Sequence, residues 1–229
     1  MDGPHFFFTT LFKMIGVQVG TVLGRGAYGC VYRVKLRQSP GRAYAMKKIR
    51  VEGVSHYEKL SAITELRLLS QHASPFLVQF KTAFTDTRHL YLVTELATSG
   101  DLAMRLRAER LANRRLPEDT VWHYLLQLLL ALGYLHALGV VHRDLKPSNV
   151  FIDALDTLKL GDFGVAKLLR PALPYGQTQI GTPLYMAPEM YKRERYGTAC
   201  DVWALGCVVH EMLTLKPAFE AKSMPELRQ

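Results

Sequence analysis

Residues 23–36 read LGRGAYGCVYRVKL, and Gly24, Gly26 and Gly29 stand at G-x-G-x-x-G spacing. The flanks restrict the fold more than the glycines do. Before them Val17, Val19, Thr21 and Leu23 recur at every second position, which puts all four on one face. After them Tyr32, Val34 and Leu36 share one face, and Arg33, Lys35 and Arg37 the other. A period of two predicts strand, not helix. A dinucleotide-binding βαβ unit carries the same spacing but needs a helix after the glycines. These glycines therefore join two strands of a hairpin, and a Rossmann oxidoreductase is excluded. Lacking Cβ atoms, such a turn lets backbone come close to a phosphate.

The next segment, RAYAMKKIR (42–50), predicts a third strand with Ala45, Lys47 and Ile49 on one face. Lys47 would put an ammonium on the sheet that carries the glycine turn. Ala45 would leave room for a flat base. A lysine in a strand is by itself an ordinary edge charge. A helix is predicted over 55–72, with Glu58, Ala62, Glu65 and Leu69 along one face. Either glutamate could pair with Lys47, and spacing does not choose between them.

At 229 residues the chain suits one large domain or two small lobes, and 48% hydrophobic with 21% charged residues reads as soluble and globular. Cys30, Cys200 and Cys207 are odd in number and lack metal-type spacing, so reduced thiols are expected. The net charge of +9 raises nucleic acid as a partner. The basic run MRLRAERLANRR (104–115) has no interleaved aromatic residues to stack bases, so it reads as a solvated helix face. FFFTTLF (6–12) follows Asp2 rather than a basic residue, which argues against a signal peptide. Thr120–His142 contains no Asp, Glu, Lys or Arg and is long enough for a bilayer. His123, Gln127 and His136 dilute it, and a buried core helix is the alternative.

Four later stretches carry chemistry in fixed order: VVHRDLKPSNVFI (140–152), LKLGDFGVAK (158–167), GTPLYMAPE (181–189) and DVWALG (201–206). With the glycine turn and Lys47, this set resembles the eukaryotic protein kinases over roughly residues 16–229. The resemblance implies an α+β, bilobal fold with a small β-rich lobe carrying one key helix and a larger helical lobe. The implied parts are an extension (1–15), a small lobe (16–94), a hinge (95–97) and a large lobe (98–229). It also implies an enzyme that moves the γ-phosphate of ATP, with Mg²⁺, onto protein substrates. Asp144 would accept or orient the proton of the substrate hydroxyl. Asp162 would hold Mg²⁺, and Asn149 would offer an amide oxygen to a second Mg²⁺, as hard cations prefer. Lys47 would contact the phosphates, and the family's helix pattern picks Glu65 over Glu58 as its partner. Leu23, Gly24, Gly26, Gly29, Val31 and Ala45 would line the nucleotide, and Glu95 and Ala97 would offer backbone groups to adenine. Thr94 would stand at the back of that pocket. Lys146 and Thr182 resemble the Ser/Thr branch, Lys146 meeting the phosphate in transit.

A membrane span over 120–142 would part the glycine turn from Asp144, so Thr120–His136 is expected as the long buried helix of the larger lobe, started by Pro117, Glu118 and Asp119. Asp201 is expected to be buried and to anchor the catalytic loop, with Trp203 in the core. Arg143 could pair with a phosphate on Thr178, placed by an activating kinase or by autophosphorylation. KLGDFGVAK, DVWALGCVVHEMLTLKPAFEA and KSMPELRQ are similar to the NIMA-related kinases. That similarity implies a cytoplasmic or nuclear Ser/Thr kinase tied to the cell cycle, centrosome, cytoskeleton or cilium. The family's domain continues past the point where this chain stops, and there carries an arginine that pairs with the glutamate at position 189. Glu189 is thus expected as a buried carboxylate lacking that partner, at a cost on the order of 3–5 kcal/mol. A catalytically silent kinase-like scaffold is the competing expectation. Such scaffolds lack a key group, whereas Lys47, Glu65, Asp144, Asn149 and Asp162 are all present.

Overall fold

The computed structural model describes residues 16–26, 29–51, 53, 63, 74–162, 184–192, 194–221 and 226. They form an α+β protein of two compact units. Residues 16–51 and 79–96 belong to the first, and residues 74–78, 97–162 and 184–221 to the second.

The described part of the first unit is an antiparallel sheet of β1 (Val17–Gly26), β2 (Gly29–Leu36), β3 (Ser39–Arg50), β4 (Phe80–Thr85) and β5 (His89–Glu95), ordered β1-β2-β3-β5-β4. The glycine segment joins β1 to β2 as a hairpin, with Gly26 paired to Gly29. Gly29 has φ +144°, and a Cβ there would lie 1.8 Å from the Lys48 carbonyl oxygen. Only glycine permits that approach between β2 and β3.

The alternation predicted for β2 is present. Tyr32, Val34 and Leu36 join Val17, Tyr44, Met46, Phe84, Tyr91 and Val93 in one hydrophobic cluster. Tyr91 stacks on Phe84 at 4.9 Å, and its hydroxyl donates to Asp86 Oδ2 at 2.8 Å. The alternation expected for β1 breaks after Val19. Irregularities between Val19 and Val22, and between Val22 and Gly24, re-phase the strand. Val22, not Thr21, pairs with Tyr32, and Gly24 pairs with Val31. Each bulge adds a residue to β1 and turns the next residues toward the other face.

The second unit is helical, with a small hairpin of β6 (Val150–Ile152) and β7 (Leu158–Leu160). Its helices are α1 (Leu102–Leu111), α2 (Glu118–Ala137), the short α3 (Pro188–Tyr191) and α4 (Ala199–Thr214). Asp101 caps α1, its carboxylate accepting from the Met104 N–H at 2.8 Å. The core gathers Leu102 and Leu106 of α1, Tyr124, Leu128 and Leu135 of α2, and Leu205, Val208 and Met212 of α4 around the hairpin.

Acidic residues in the first turn of α2 favour its start, and it begins after Pro117 as expected. It is not buried all round. Val121, Tyr124, Leu128, Ala131 and Leu135 form a buried stripe at helical spacing. Trp122 and Leu126, by contrast, are 61% and 56% exposed, and Leu129 and Leu130 are exposed as well. A single helix face meets the core, and uniform apolarity does not change that geometry. No described helix is long and apolar enough to cross a membrane. Two polar ties fix α2 to the hairpin. Gln127 Oε1 accepts from the Leu158 N–H at 2.7 Å, and the Tyr124 hydroxyl donates to Asp156 Oδ1 at 2.6 Å.

Two further expectations are corrected. Trp203 is 39% exposed and stacks on Phe219 at 5.5 Å instead of lying in the core. It sits on the solvent side of α4, whose core face carries Ala204, Leu205 and Val208. Glu189 is partly rather than fully buried.

The α2 stripe gives a direct contrast. Leu128→Ala should lower unfolding free energy by about 2–5 kcal/mol, and Leu126→Ala by no more than about 0.5 kcal/mol, in denaturant titrations. Equal losses would contradict the one-sided packing.

Candidate active site

In the first unit, strand register assembles one half of the expected site. Lys47 pairs across the sheet with Val31 and with Leu92, and Ala45 with Arg33 and Thr94. Paired residues share a face, so Val31, Ala45, Lys47 and Thr94 lie together, opposite the Tyr44–Met46–Tyr91 cluster. The pairing of Gly24 with Val31 brings the glycine turn to the same row. Leu23, one residue before, is 46% exposed.

Glu95 is more committed than the sequence suggests. Its N–H donates to the Gln79 carbonyl at 2.8 Å, and its Oε1 accepts from the Gln79 N–H at 3.0 Å. Its own carbonyl accepts from the Thr94 hydroxyl at 3.1 Å. Glu65, Thr178 and Thr182 lie outside the described residues, as do residues 1–15.

In the second unit the chemistry rests on one buried carboxylate. Asp201, 1% exposed, accepts from the His142 N–H through Oδ2 and from the Arg143 N–H through Oδ1, each at 2.8 Å. His136 Nε2 lies 2.8 Å from the same Oδ2. Asp201 anchors the loop as expected. Helix α4 can present a carboxylate here because the two N–H groups and the imidazole replace the water it gives up.

That grip holds a strained turn. Arg143 has φ +66°, a left-handed conformation costing a non-glycine residue roughly 1 kcal/mol or more. Its guanidinium lies over the Tyr196 ring, 5.6 Å from the centroid. The loop then presents Asp144, whose Oδ2 accepts from Lys146 Nζ and from Asn149 Nδ2, each at 3.0 Å. Asn149 Nδ2 also donates to the Asp144 carbonyl at 2.7 Å. The amide nitrogen is thus spent on Asp144, and Oδ1 is the end left for a cation. A one-turn 3₁₀ helix, Pro147–Asn149, sets the spacing.

Asp162 is placed from behind. The Gly161 N–H donates to the Asn149 carbonyl at 3.0 Å, and the Gly161 carbonyl lies 3.0 Å from His142 Nε2. A Cβ on Gly161 would come within 2.8 Å of Phe151 and Val78 side-chain carbons. Asp162 follows at φ +65° with its side chain exposed. Carboxylate and amide oxygens are the donors Mg²⁺ takes, and it commonly uses one or two protein ligands and draws the rest from phosphates and water. Among the described residues no cluster of three or more His, Cys, Asp or Glu could hold a metal alone.

His142 links the two halves of this loop. Its Nδ1 accepts from the Asp144 N–H at 3.3 Å, while Nε2 faces the Gly161 carbonyl, the pattern of a neutral ring protonated at Nε2. Burial pushes its pKa below the ordinary 6.5, against the opposing pull of the Gly161 carbonyl and nearby aspartates. Burial, and then Asp201, push the Cys200 thiol up to about 11, so it is a poor nucleophile at neutral pH.

Sequence reading missed His136 and the bracing of Gly161. His136 counted only as a polar dilution of an apolar stretch. Its spacing six residues before His142, at the end of α2, was the available signal.

Two outcomes test this arrangement. Asp201→Ala should cost about 1–3 kcal/mol for each buried N–H it leaves unpaired, read from denaturant midpoints. His142 binds fewer protons folded than unfolded just below pH 6.5, so stability should fall as pH drops through 6.5. The slope for one proton is at most about 1.4 kcal/mol per pH unit, and His142→Phe should remove it. An unchanged slope in that variant would assign the effect elsewhere.

Comparison with known proteins fits this arrangement. The sequence pattern of the protein kinase domain matches residues 17–229. Serine/threonine-protein kinase Nek4 of Mus musculus is 41% identical over 207 residues, which is 90% of this chain and 26% of that protein. Serine/threonine-protein kinase Nek1 of Mus musculus is 37% identical, over 90% of this chain and 17% of that protein. The probable serine/threonine-protein kinase nek2 of Dictyostelium discoideum is 37% identical, over 90% of this chain and 50% of that protein. The chain therefore spans half or less of the length of these curated relatives. Its motif order, the carboxylates and amide around Asp144, and the match over 17–229 make it a member of the protein kinase domain family.

Proposed function

We propose that this chain transfers the γ-phosphoryl group of ATP to serine or threonine hydroxyls of protein substrates. The observation that carries this reading is Asp144, held with its carboxylate between Lys146 and Asn149 on a loop fixed by Asp201. Asp144 takes the proton as the substrate hydroxyl oxygen bonds to the γ-phosphorus and the bond to the β-phosphate oxygen breaks, leaving ADP. Lys146 steadies that carboxylate and neutralises charge on the group in transit. Asn149 and Asp162 are the residues that would hold Mg²⁺, which supplies charge neutralisation on the phosphates when bound. Lys47, with Glu65 as its partner, takes the α- and β-phosphates. Leu23, Gly24, Gly26, Gly29, Val31 and Ala45 cover the nucleotide, and the Glu95 carbonyl and the backbone of Ala97 take adenine. Lys146 in the D-L-K-P-S-N run and the names of the relatives support Ser and Thr as acceptors.

The same proposal has Thr178 as the phosphorylated site that engages Arg143, by autophosphorylation or through an activating kinase, with Thr182 fitting the Ser/Thr class of acceptor. It also places the protein in the cytoplasm or nucleus, in the cell-cycle, centrosome, cytoskeletal or ciliary setting that the NIMA-related resemblance implies.

Transfer of labelled γ-phosphate to a mixed Ser, Thr and Tyr peptide library is the test. Label should appear on Ser and Thr, need Mg²⁺, and stop on chelation. Asp144→Asn should lower turnover by roughly 10²–10⁴-fold with little change in the unfolding midpoint. A well-folded chain that binds ATP and transfers nothing would leave the silent scaffold as the correct reading.

A further inference from the structure

We infer that the α1 surface is a docking site for an acidic segment of a partner protein, anchored by one apolar side chain. Between Leu102 and Leu116 there are five arginines and a single glutamate, an excess of four in a chain whose whole excess is nine. The structure shows which of them are occupied. Arg105 and Arg114 both meet Glu109, at 3.4 and 3.1 Å, and Arg110 meets Glu211 at 3.7 Å. Arg107 and Arg115 are exposed, and among the described residues neither meets a carboxylate. Guanidinium groups take carboxylates in two-pronged fashion, which suits Asp and Glu of a peptide.

Charge alone would fit any polyanion, and the apolar residues narrow the partner. Met104 and Leu111, two helical turns apart, are 63% and 78% exposed among the arginines. A groove of about 330 Å³ runs beside Met104, lined further by Ala108, Ile152 and Ala154 and by the polar Ser99, Arg105, Asp153 and Asp156. Those carboxylates are already engaged. Asp153 Oδ1 accepts from the Leu155 and Thr157 N–H groups, and Asp156 Oδ1 accepts from the Tyr124 hydroxyl and lies 3.6 Å from an Arg105 guanidinium nitrogen. Met104, Ala108, Ile152 and Ala154 supply the apolar part of that mixed lining, and the exposed positive charge of Arg107 and Arg115 stands outside the groove. An extended acidic segment with one leucine-sized residue matches both features. None of the groove-lining residues belongs to the Asp144 loop, so the inference stands apart from the phosphotransfer reading.

The test is fluorescence anisotropy on the 229-residue chain without nucleotide. The probe is a short labelled peptide with Asp and Glu on both sides of one Leu, beside the same peptide with Ser for Leu. The Leu peptide should bind saturably, more weakly as salt rises, and more tightly than the Ser peptide. Arg107→Glu with Arg115→Glu should weaken it by roughly tenfold or more, about 1.4 kcal/mol. Arg107→Lys with Arg115→Lys should keep the salt dependence and lose only part of the affinity. Leu111→Ser should narrow the gap between the two peptides, and this variant decides the matter if the double-Glu chain fails to fold. The proposal is overturned by absent saturable binding, by equal binding to the double-Glu chain with an unchanged unfolding midpoint, or by equal affinity for both peptides. Binding to phosphatidylserine vesicles or to RNA, with none to the Leu peptide, overturns it equally.

Discussion

Everything in the larger unit's chemistry depends on the carboxylate of Asp201. An ionised group excluded from water is expensive unless each lone pair is answered, and here two backbone N–H groups and an imidazole answer them. The arrangement reverses the usual relation of loop and helix. A rigid helix lends its side chain to the loop, and the loop returns backbone hydrogen bonds. Arg143 can then hold a left-handed backbone that an unrestrained loop would abandon. Asp144, Lys146 and Asn149 follow on a frame already fixed, so their mutual hydrogen bonds set direction and do not have to set position.

Much of this was legible in the sequence. Period-two runs around Gly24–Gly29 gave a hairpin because strand alternation does not depend on distant contacts. The motif order named Asp144 and Asn149 only through the kinase resemblance and in separate roles, and the hydrogen bond between them is what the structure adds. What escaped depended on one-residue phase or on sidedness. The bulges of β1 are not encoded in alternation, so Thr21 and Leu23 read as sharing a face with Val19 when the strand had already turned. An apolar helix such as α2 carries no internal sign of which side will be covered, so Thr120–His136 read as buried throughout although Trp122 and Leu126 are exposed. Trp203 failed for the same reason. His136 looked inert because its partner lies 65 residues away in sequence.

The two faces of the first unit's sheet divide labour along the same lines. One face is a hydrophobic cluster that supplies stability, with Tyr91 tied to Asp86 at its edge. The other carries Val31, Ala45, Lys47 and Thr94 in adjacent rows, held in register by the backbone ladder. Register therefore decides which residues share the Lys47 face. A slip of one residue in β3 would exchange Lys47 for Met46 and turn the cluster inside out.

Gly161 shows how far such dependence reaches. Its neighbours Phe151 and Val78 leave less room than a methyl group requires, and both are uncharged residues with no part in phosphate chemistry. The position of Asp162 is nonetheless set by their bulk. Substitutions at these three sites are thus coupled by volume. A lineage could enlarge one only after trimming another, and the order of those steps would decide whether the intermediate still functioned.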